Sequence, residues 1–206
     1  AGFAAANGEF LTWISADNIL LKNALSLMKS ELLKNPGLSM VYTNMRLIDK
    51  NSRIKRGHFW FEKPFFSGNV ILPEDTRALN TYANNTIGAS FMYRSKAGQL
   101  LGDYSLYKNT LEDYDYWMRL NSLLKIAHSK EKKPVYYYRK HINSLTARDK
   151  ELGITKNRYK LMLLDDARRD FYLSPLMWFL KSDEEHKELM EIFKAEALKR
   201  GHLVFE

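Results

Sequence analysis

From residue 10 to residue 139 the chain alternates between short apolar runs of strand length and stretches whose apolar residues recur every three to four positions. That alternation of periods constrains the fold more than any single residue does. Phe10 to Ile14 reads as a short buried strand that ends at Ser15-Ala16-Asp17-Asn18. A helix is predicted next, with Leu21, Ala24, Leu25, Met28 and Leu32 at helical spacing, Asp17 or Asn18 as its cap, and Pro36-Gly37 closing it. Met40 to Ile48 reads as one strand. Residues 49 to 80 read as irregular, with Trp60, Phe61, Phe65 and Phe66 close together. Ile87 to Arg94 is a further strand leading to a short helix that stops near Gly102. Residues 112 to 124 form a helix that opens on carboxylates, and Pro134 to Arg139 is an aromatic strand. Strands and helices in this order predict an α/β layered domain.

After residue 146 the strand signal ends. Residues 155 to 172 and 184 to 200 carry helical periodicity, and Leu173 to Leu180 between them is apolar enough to pack on the domain. The chain is therefore divided into an α/β domain, 1–146, and a helical tail, 147–206.

Composition narrows the function. With 45% hydrophobic and 27% charged residues the chain has a globular balance, and no uncharged apolar run reaches the roughly 18 residues of a transmembrane helix. Cysteine is absent, which removes disulfides, thiolate nucleophiles and thiolate metal sites and fits a reducing, cytoplasmic setting. The net charge of +8 is spread along the chain in small clusters, such as Arg53, Lys55 and Arg56, and acids interrupt most of them. Each cluster reads first as solvated surface; among the alternatives, with no nucleic-acid motif beside the charge, peripheral attraction to an anionic lipid surface is a better reading than nucleic acid, which is not expected as a partner. Glu184-Glu185-His186-Lys187-Glu188 is not the H-E-x-x-H of a metallohydrolase, and no P-loop, G-x-G-x-x-G or G-x-S-x-G occurs.

Three constellations can carry chemistry. Trp13-Ile14-Ser15-Ala16-Asp17-Asn18 lies at a strand end, where open α/β sheets bind ligands, and a carboxylate there can hold a hard cation against phosphate oxygens. Glu112-Asp113-Tyr114-Asp115 opens a helix; a carboxylate beside a cleft is what a general base requires, although acids in a first helical turn are also favoured by the dipole alone. Tyr138-Arg139-Lys140-His141-Ile142-Asn143-Ser144 runs from a strand into a polar turn that carries a histidine. His58, His128, His186 and His202 read as ordinary surface or hydrogen-bonded residues.

In this order the segments resemble landmarks of the family 2 inverting glycosyltransferases. Ala6-Asn7-Gly8-Glu9-Phe10 through Asp17-Asn18 resembles the family's A-x-G-E-y-i-x-x-x-D-x-D region. Val41-Tyr42-Thr43-Asn44, Ile87 to Arg94 and Gly102-Asp103-Tyr104 resemble the strands and turn that follow. Glu112-Asp113-Tyr114-Asp115-Tyr116-Trp117-Met118-Arg119 is similar to E-D-x-D-x-w-x-R, and Tyr138 to Thr146 to Y-R-x-H-x-x-S-x-T. The resemblance covers residues 1 to about 146 and implies a partial GT-A sandwich, the fold of nucleotide-diphospho-sugar transferases. It implies Asp113 as the base that deprotonates the acceptor hydroxyl. Asp17 would hold Mg²⁺ or Mn²⁺ against the donor's diphosphate, Ser15 stands where the family has its first metal-site acid, and His141 would help hold the metal or diphosphate. The implied partners are a nucleotide-sugar donor and a glycan or lipid-linked acceptor. The implied setting is bacterial polysaccharide assembly, in the cytoplasm or at the inner face of the membrane.

Family members begin with a strand, a helix and a further acid-bearing strand that bind the base and ribose, and those elements have no counterpart in these residues. The chain is accordingly expected to be the second half of a longer enzyme, with weak nucleotide affinity as it stands. The alternative reading is a non-catalytic glycan- or protein-binding module derived from a transferase fold. Trp60 to Phe66 and Asn80 to Thr86 are candidates for shaping an acceptor site.

Overall fold

The computed structural model describes residues 2–60, 63–65, 67–81, 84–102, 104 and 111–172. In chain order the elements are β1 (Phe10–Leu11), β2 (Ile19–Leu20), α1 (Ala24–Lys34), β3 (Met40–Tyr42), β4 (Met45–Ile48), β5 (His58–Trp60), β6 (Lys63–Phe65), β7 (Asn69–Val70), α2 (Ala78–Thr81) and β8 (Phe91–Arg94). They continue as α3 (Ser95–Leu101), α4 (Glu112–Leu123), β9 (Ile126–His128), β10 (Tyr136–Arg139), α5 (Asp149–Leu152) and α6 (Ile154–Tyr172).

Two mixed four-stranded sheets result, in the orders β1-β8-β3-β9 and β2-β10-β4-β7, with β5 and β6 forming a separate hairpin. The stretch from Met40 to Ile48 does not form one strand, as its apolar pattern predicts, but two strands in different sheets. Thr43 and Asn44, both fully buried, divide them. Thr43 N donates to Ser90 O at 2.9 Å, and the Asn44 amide accepts from Leu72 N and donates to Lys132 O. These long-range bonds satisfy the buried polar groups where the chain leaves one sheet and enters the next.

Helix α1 buries Ala24, Met28 and Leu32, one stripe at i, i+4 and i+8, in a cluster with Val41 and Met92 of the first sheet. Arg94 donates to the carbonyls of Leu32 and Leu38 and so satisfies acceptors around the end of that helix. The helix begins at Ala24, later than its sequence predicts. β2 intervenes after Asn18, so neither Asp17 nor Asn18 caps the helix, and Asn23 stands at the N-cap. β1 is likewise shorter than predicted, because Thr12 Oγ1 donates to Phe91 O at 2.6 Å where the ladder would continue.

Helix α4 is the central helix of the larger core. It buries Tyr114, Tyr116, Trp117, Met118 and Leu120, with the Trp117 ring 4.3 Å from that of Phe91 and Tyr116 stacked on Tyr104 at 4.1 Å. Helix α6, which follows α5 in the predicted tail, packs on α2 and α4: Leu161 joins the core, and Asn80 Nδ2 donates to the buried Asp165 at 2.7 Å. The predicted helix at 184–200, the apolar segment 173–180, Phe61, Phe66 and Asp103 lie outside the described residues. Among the described residues no helix is long and apolar enough to cross a membrane.

Candidate active site

A cleft of about 580 Å³ opens where the loop after β1, the segment 84–89, the first turn of α4, the end of β10 and the start of α6 meet. Ser15, Asp17, Asp113 and His141, singled out in three separate sequence segments, all line it.

Strand pairing sets one wall. β2 runs antiparallel to β10 with Ile19 opposite Tyr137 and Leu20 opposite Tyr136, which brings the residues before β2 beside the residues after β10. Side chains then fix the contact. Asn18 Nδ2 donates to the Tyr136 hydroxyl at 2.8 Å, Asn18 Oδ1 accepts from Arg139 N at 2.8 Å, and Arg139 Nε donates to Asp17 O at 2.6 Å. The same guanidinium donates to Asp49 O and to the hydroxyl of Ser52, whose φ of 64° is a left-handed turn conformation rare for a side-chain-bearing residue. Arg139 is thus a structural clamp on the Asp17 loop. The outcome is that His141 Nε2 lies 3.2 Å from Asp17 Oδ2, with both side chains still open to solvent.

The same cleft is lined by Asp113, at the first turn of α4 and partly exposed. Its Oδ1 accepts from Tyr114 N at 2.6 Å and its Oδ2 from Asn85 Nδ2 at 3.0 Å. Desolvation raises the carboxyl pKa to about 6, and the neighbouring Glu112 charge pushes the same way; the Tyr114 N–H and the Arg158 charge oppose the shift. A carboxylate tuned toward neutrality from below can both accept and release a proton near physiological pH. Asp115, in the same acidic motif, does different work. It is fully buried and pairs with Arg119 Nε at 3.0 Å, and Arg119 Nη1 bonds Leu101 O and ties α4 to α3.

Two cations complete the lining. Lys140 is partly buried, and desolvation lowers its pKa, with Lys55 adding repulsion. Arg158 of α6 donates to Asn84 Oδ1 at 3.2 Å, and its Nε is buried without a hydrogen-bond partner among the described residues. His128, read from sequence as an ordinary hydrogen-bonded histidine, lies away from this lining, with Nδ1 2.7 Å from Ser129 O and Nε2 2.8 Å from Asn44 Oδ1.

Sequence reasoning does not single out Arg158, and it names Asn18, Arg139, Asn84 and Asn85 only within longer segments, with no role of their own. Arg158 sits one helical turn after the buried Ile154, on the face that packs inward, and that periodicity is the available signal. The others act through contacts across 28 residues or more, which no local pattern reveals.

For holding a cation the cleft offers the Asp17 carboxylate, the His141 imidazole and the Ser15 hydroxyl. Among the described residues no group of three or more His, Asp or Glu gathers into a cage. Such a sparse donor set suits a hard cation that takes its other ligands from phosphate and water, which is how Mg²⁺ is commonly bound.

No protein-family profile matches the chain, and no curated protein matches its sequence. Solved structures do match its fold. The chain is similar to residues 1–349 of TarS from S. aureus, a glycosyltransferase, in complex with UDP-GlcNAc, with 16% identity and a TM-score of 0.52 over 96% of this chain and 51% of that one. A second TarS 1–349 structure matches at 14% identity and a TM-score of 0.49, covering 96% of this chain and 49% of that one. The chain therefore has a mixed α/β fold similar to part of that glycosyltransferase's, and it spans about half the length of the TarS 1–349 chain in the UDP-GlcNAc complex.

Proposed function

We propose that the chain carries the acceptor side and catalytic base of an inverting GT-A glycosyltransferase of family 2. The supporting observation is that Asp113 lines the same cleft as the Asp17–His141 pair, although the three come from separate parts of the sequence. Asp113 takes the proton from an acceptor hydroxyl as that oxygen attacks the anomeric carbon. The new C–O bond forms on the face opposite the donor's glycosyl–phosphate bond. That bond breaks, its electron pair leaves with the nucleoside diphosphate, and the anomeric configuration inverts.

Asp17 and His141 would hold Mg²⁺ or Mn²⁺, with Ser15 beside them, and the ion would supply charge stabilisation for the leaving diphosphate. Lys140 adds positive charge to the cleft that receives it. The TarS complex with UDP-GlcNAc makes a uridine nucleotide-sugar the first donor to test. The acceptor is a glycan or a lipid-linked glycan, and the net charge of +8 supports work at the cytoplasmic face of an anionic membrane.

The test is sugar transfer from UDP-GlcNAc and related donors to glycan and lipid-linked acceptors, comparing the parent chain with Asp113→Asn. Loss of the base should lower turnover at least ~100-fold while leaving donor binding within a few-fold. Full turnover in Asp113→Asn would remove Asp113 from the reaction. Glycan binding with no transfer from any donor, both by this chain and by any longer protein that contains it, would favour a non-catalytic module.

A further inference from the structure

We infer that Asn85 is a positioning residue for Asp113: its amide, locked by the turn it caps, grips one carboxylate oxygen and fixes which edge of the group faces the acceptor. The inference rests on the reading of Asp113 as the base and concerns how the protein keeps that base usable.

The amide of Asn85 has no freedom to flip. Its Oδ1 accepts from two backbone donors, Ile87 N at 3.2 Å and Gly88 N at 3.1 Å. Both are N–H groups and can only donate, so the oxygen end of the amide is fixed toward the turn and Nδ2 must point away from it. Nδ2 meets Asp113 Oδ2 at 3.0 Å. The other carboxylate oxygen is held by Tyr114 N at 2.6 Å, again a group that can only donate. Each oxygen of Asp113 thus already accepts one N–H, and the arrangement matches the ionised carboxylate, with one lone pair per oxygen left for an incoming hydroxyl.

Without these donors the surroundings work against a base. The carboxylate is desolvated and stands next to Glu112, and both effects favour the neutral acid, which cannot take a proton. The charged groups acting on Asp113 are Glu112 from its own helix and Arg158 from α6, and Asp17, Lys140 and His141 line the same cleft. Arg158 is itself bonded to the adjacent Asn84, so two consecutive asparagines hold the anion and the cation that flank the acceptor side. The Asn84–Asn85 pair is therefore a two-sided clamp joining α4 to α6.

Asn85→Asp separates the two duties of the residue. The carboxylate keeps an oxygen for Ile87 N and Gly88 N, so the turn survives, but it presents an acceptor and a like charge to Asp113 in place of a donor. Asn85→Ser, which keeps a turn-capping oxygen and adds no charge, is the second variant. The readout is the carboxyl carbon resonance of Asp113 in the whole chain, titrated with pH and identified by its absence in Asp113→Asn. The backbone amide signals of Ile87 and Gly88 report on the turn. Asn85→Asp should move the Asp113 titration up by at least one pH unit, and Asn85→Ser should move it up by less, with the turn signals in place. An Asp113 titration unmoved in both variants while the turn signals persist would overturn the inference. Activity separates this failure from that of the base: transfer retained in Asp113→Asn refutes the base, whereas loss there with no change in the acid limb of kcat/KM in Asn85→Asp refutes the positioning role alone.

Discussion

His141 Nε2 stands 3.2 Å from Asp17 Oδ2, joining residues 124 positions apart at the mouth of one cleft. The antiparallel pairing of β2 with β10 makes that meeting, and the Arg139 guanidinium, bonded to Asp17 O, clamps the Asp17 loop in place. A carboxylate and an imidazole held this way form a mixed oxygen–nitrogen donor pair. Imidazole is a better ligand for Mn²⁺ than for the harder Mg²⁺. His141→Ala should therefore weaken Mn²⁺-supported nucleotide binding about tenfold and leave Mg²⁺-supported binding nearly unchanged. Calorimetric titration with each metal checks this, and an equal loss with both ions would remove the imidazole from the metal's ligands.

The Asp113 carboxyl predicts a pH dependence of stability whose sign is fixed. Its pKa is raised from the ordinary carboxyl value of 3.8 to about 6, so the native state binds the proton more tightly than the unfolded chain does. The stability from that proton is full below about pH 4 and is lost as pH rises through about 6. Asp113→Asn keeps a neutral side chain at every pH. Its stability relative to the parent should therefore rise by on the order of 2 kcal/mol between about pH 4 and pH 8, on top of a pH-independent cost for turning an amide NH₂ toward Tyr114 N or Asn85 Nδ2. Urea unfolding at the two pH values measures it. A stability difference that does not change between the two pH values would contradict the assignment.

Asp115 and Arg119 predict a purely structural penalty. The Asp115 side chain is fully buried, and removing its guanidinium leaves a desolvated carboxylate without that charge partner. Arg119→Ala should destabilise the fold by about 3 kcal/mol. Arg119→Lys retains a cation but loses the fork that reaches both Asp115 and Leu101 O, and should fall in between. A change under about 1 kcal/mol in Arg119→Ala, within the scatter of surface substitutions, would show the pair to be dispensable.

That Asp17, Asp113 and His141 are candidates is legible in sequence because each stands in a local pattern, and the structure brings all three to one cleft. Asp17 at a strand end, Asp113 in a first helical turn and His141 after an aromatic strand each carry their own signal. The layered α/β class and the spans of α4, β10 and α6 follow the same periodicities. Other features are illegible for physical reasons. Met40 to Ile48 has one apolar pattern, and only the buried bonds of Thr43 and Asn44 to distant partners split it. β2, β7 and β9 are two or three residues long, too short for any period to register, and the region that reads as irregular holds β5, β6, β7 and α2. The choice between cap and site residue at Asp17 depends on whether a strand or a helix comes next. Asn85 looks like one polar residue in a run, because its meaning lies in a contact with α4.

Gly88 offers a test of how tightly the cleft is built on the core. Its φ is +71°, and a Cβ there would lie 2.7 Å from Met45 Cε and 3.3 Å from Leu72 Cδ1. The methionine end can shift, but the positive φ cannot be relieved, so Gly88→Ala should lose about 1–2 kcal/mol of stability. A double-mutant cycle with Met45→Ala would separate steric from backbone strain. Because Gly88 N anchors Asn85 Oδ1, the same substitution should disturb the Asp113 titration. A neutral Gly88→Ala variant would mean that this turn is more plastic than its packing implies.

Whether this cleft receives the nucleotide end of a sugar donor is decided by mapping where the nucleotide binds. Backbone amide resonances of the chain are followed as UDP and UDP-GlcNAc are titrated to millimolar concentration with Mg²⁺, the less broadening of the two candidate ions. The largest shifts should fall on Ser15, Asp17, Asn18, Lys140 and His141, and Asp17→Ala should abolish them. Shifts absent from these residues, or centred on the surface around His128 and Lys132, would contradict the assignment of this cleft to the donor.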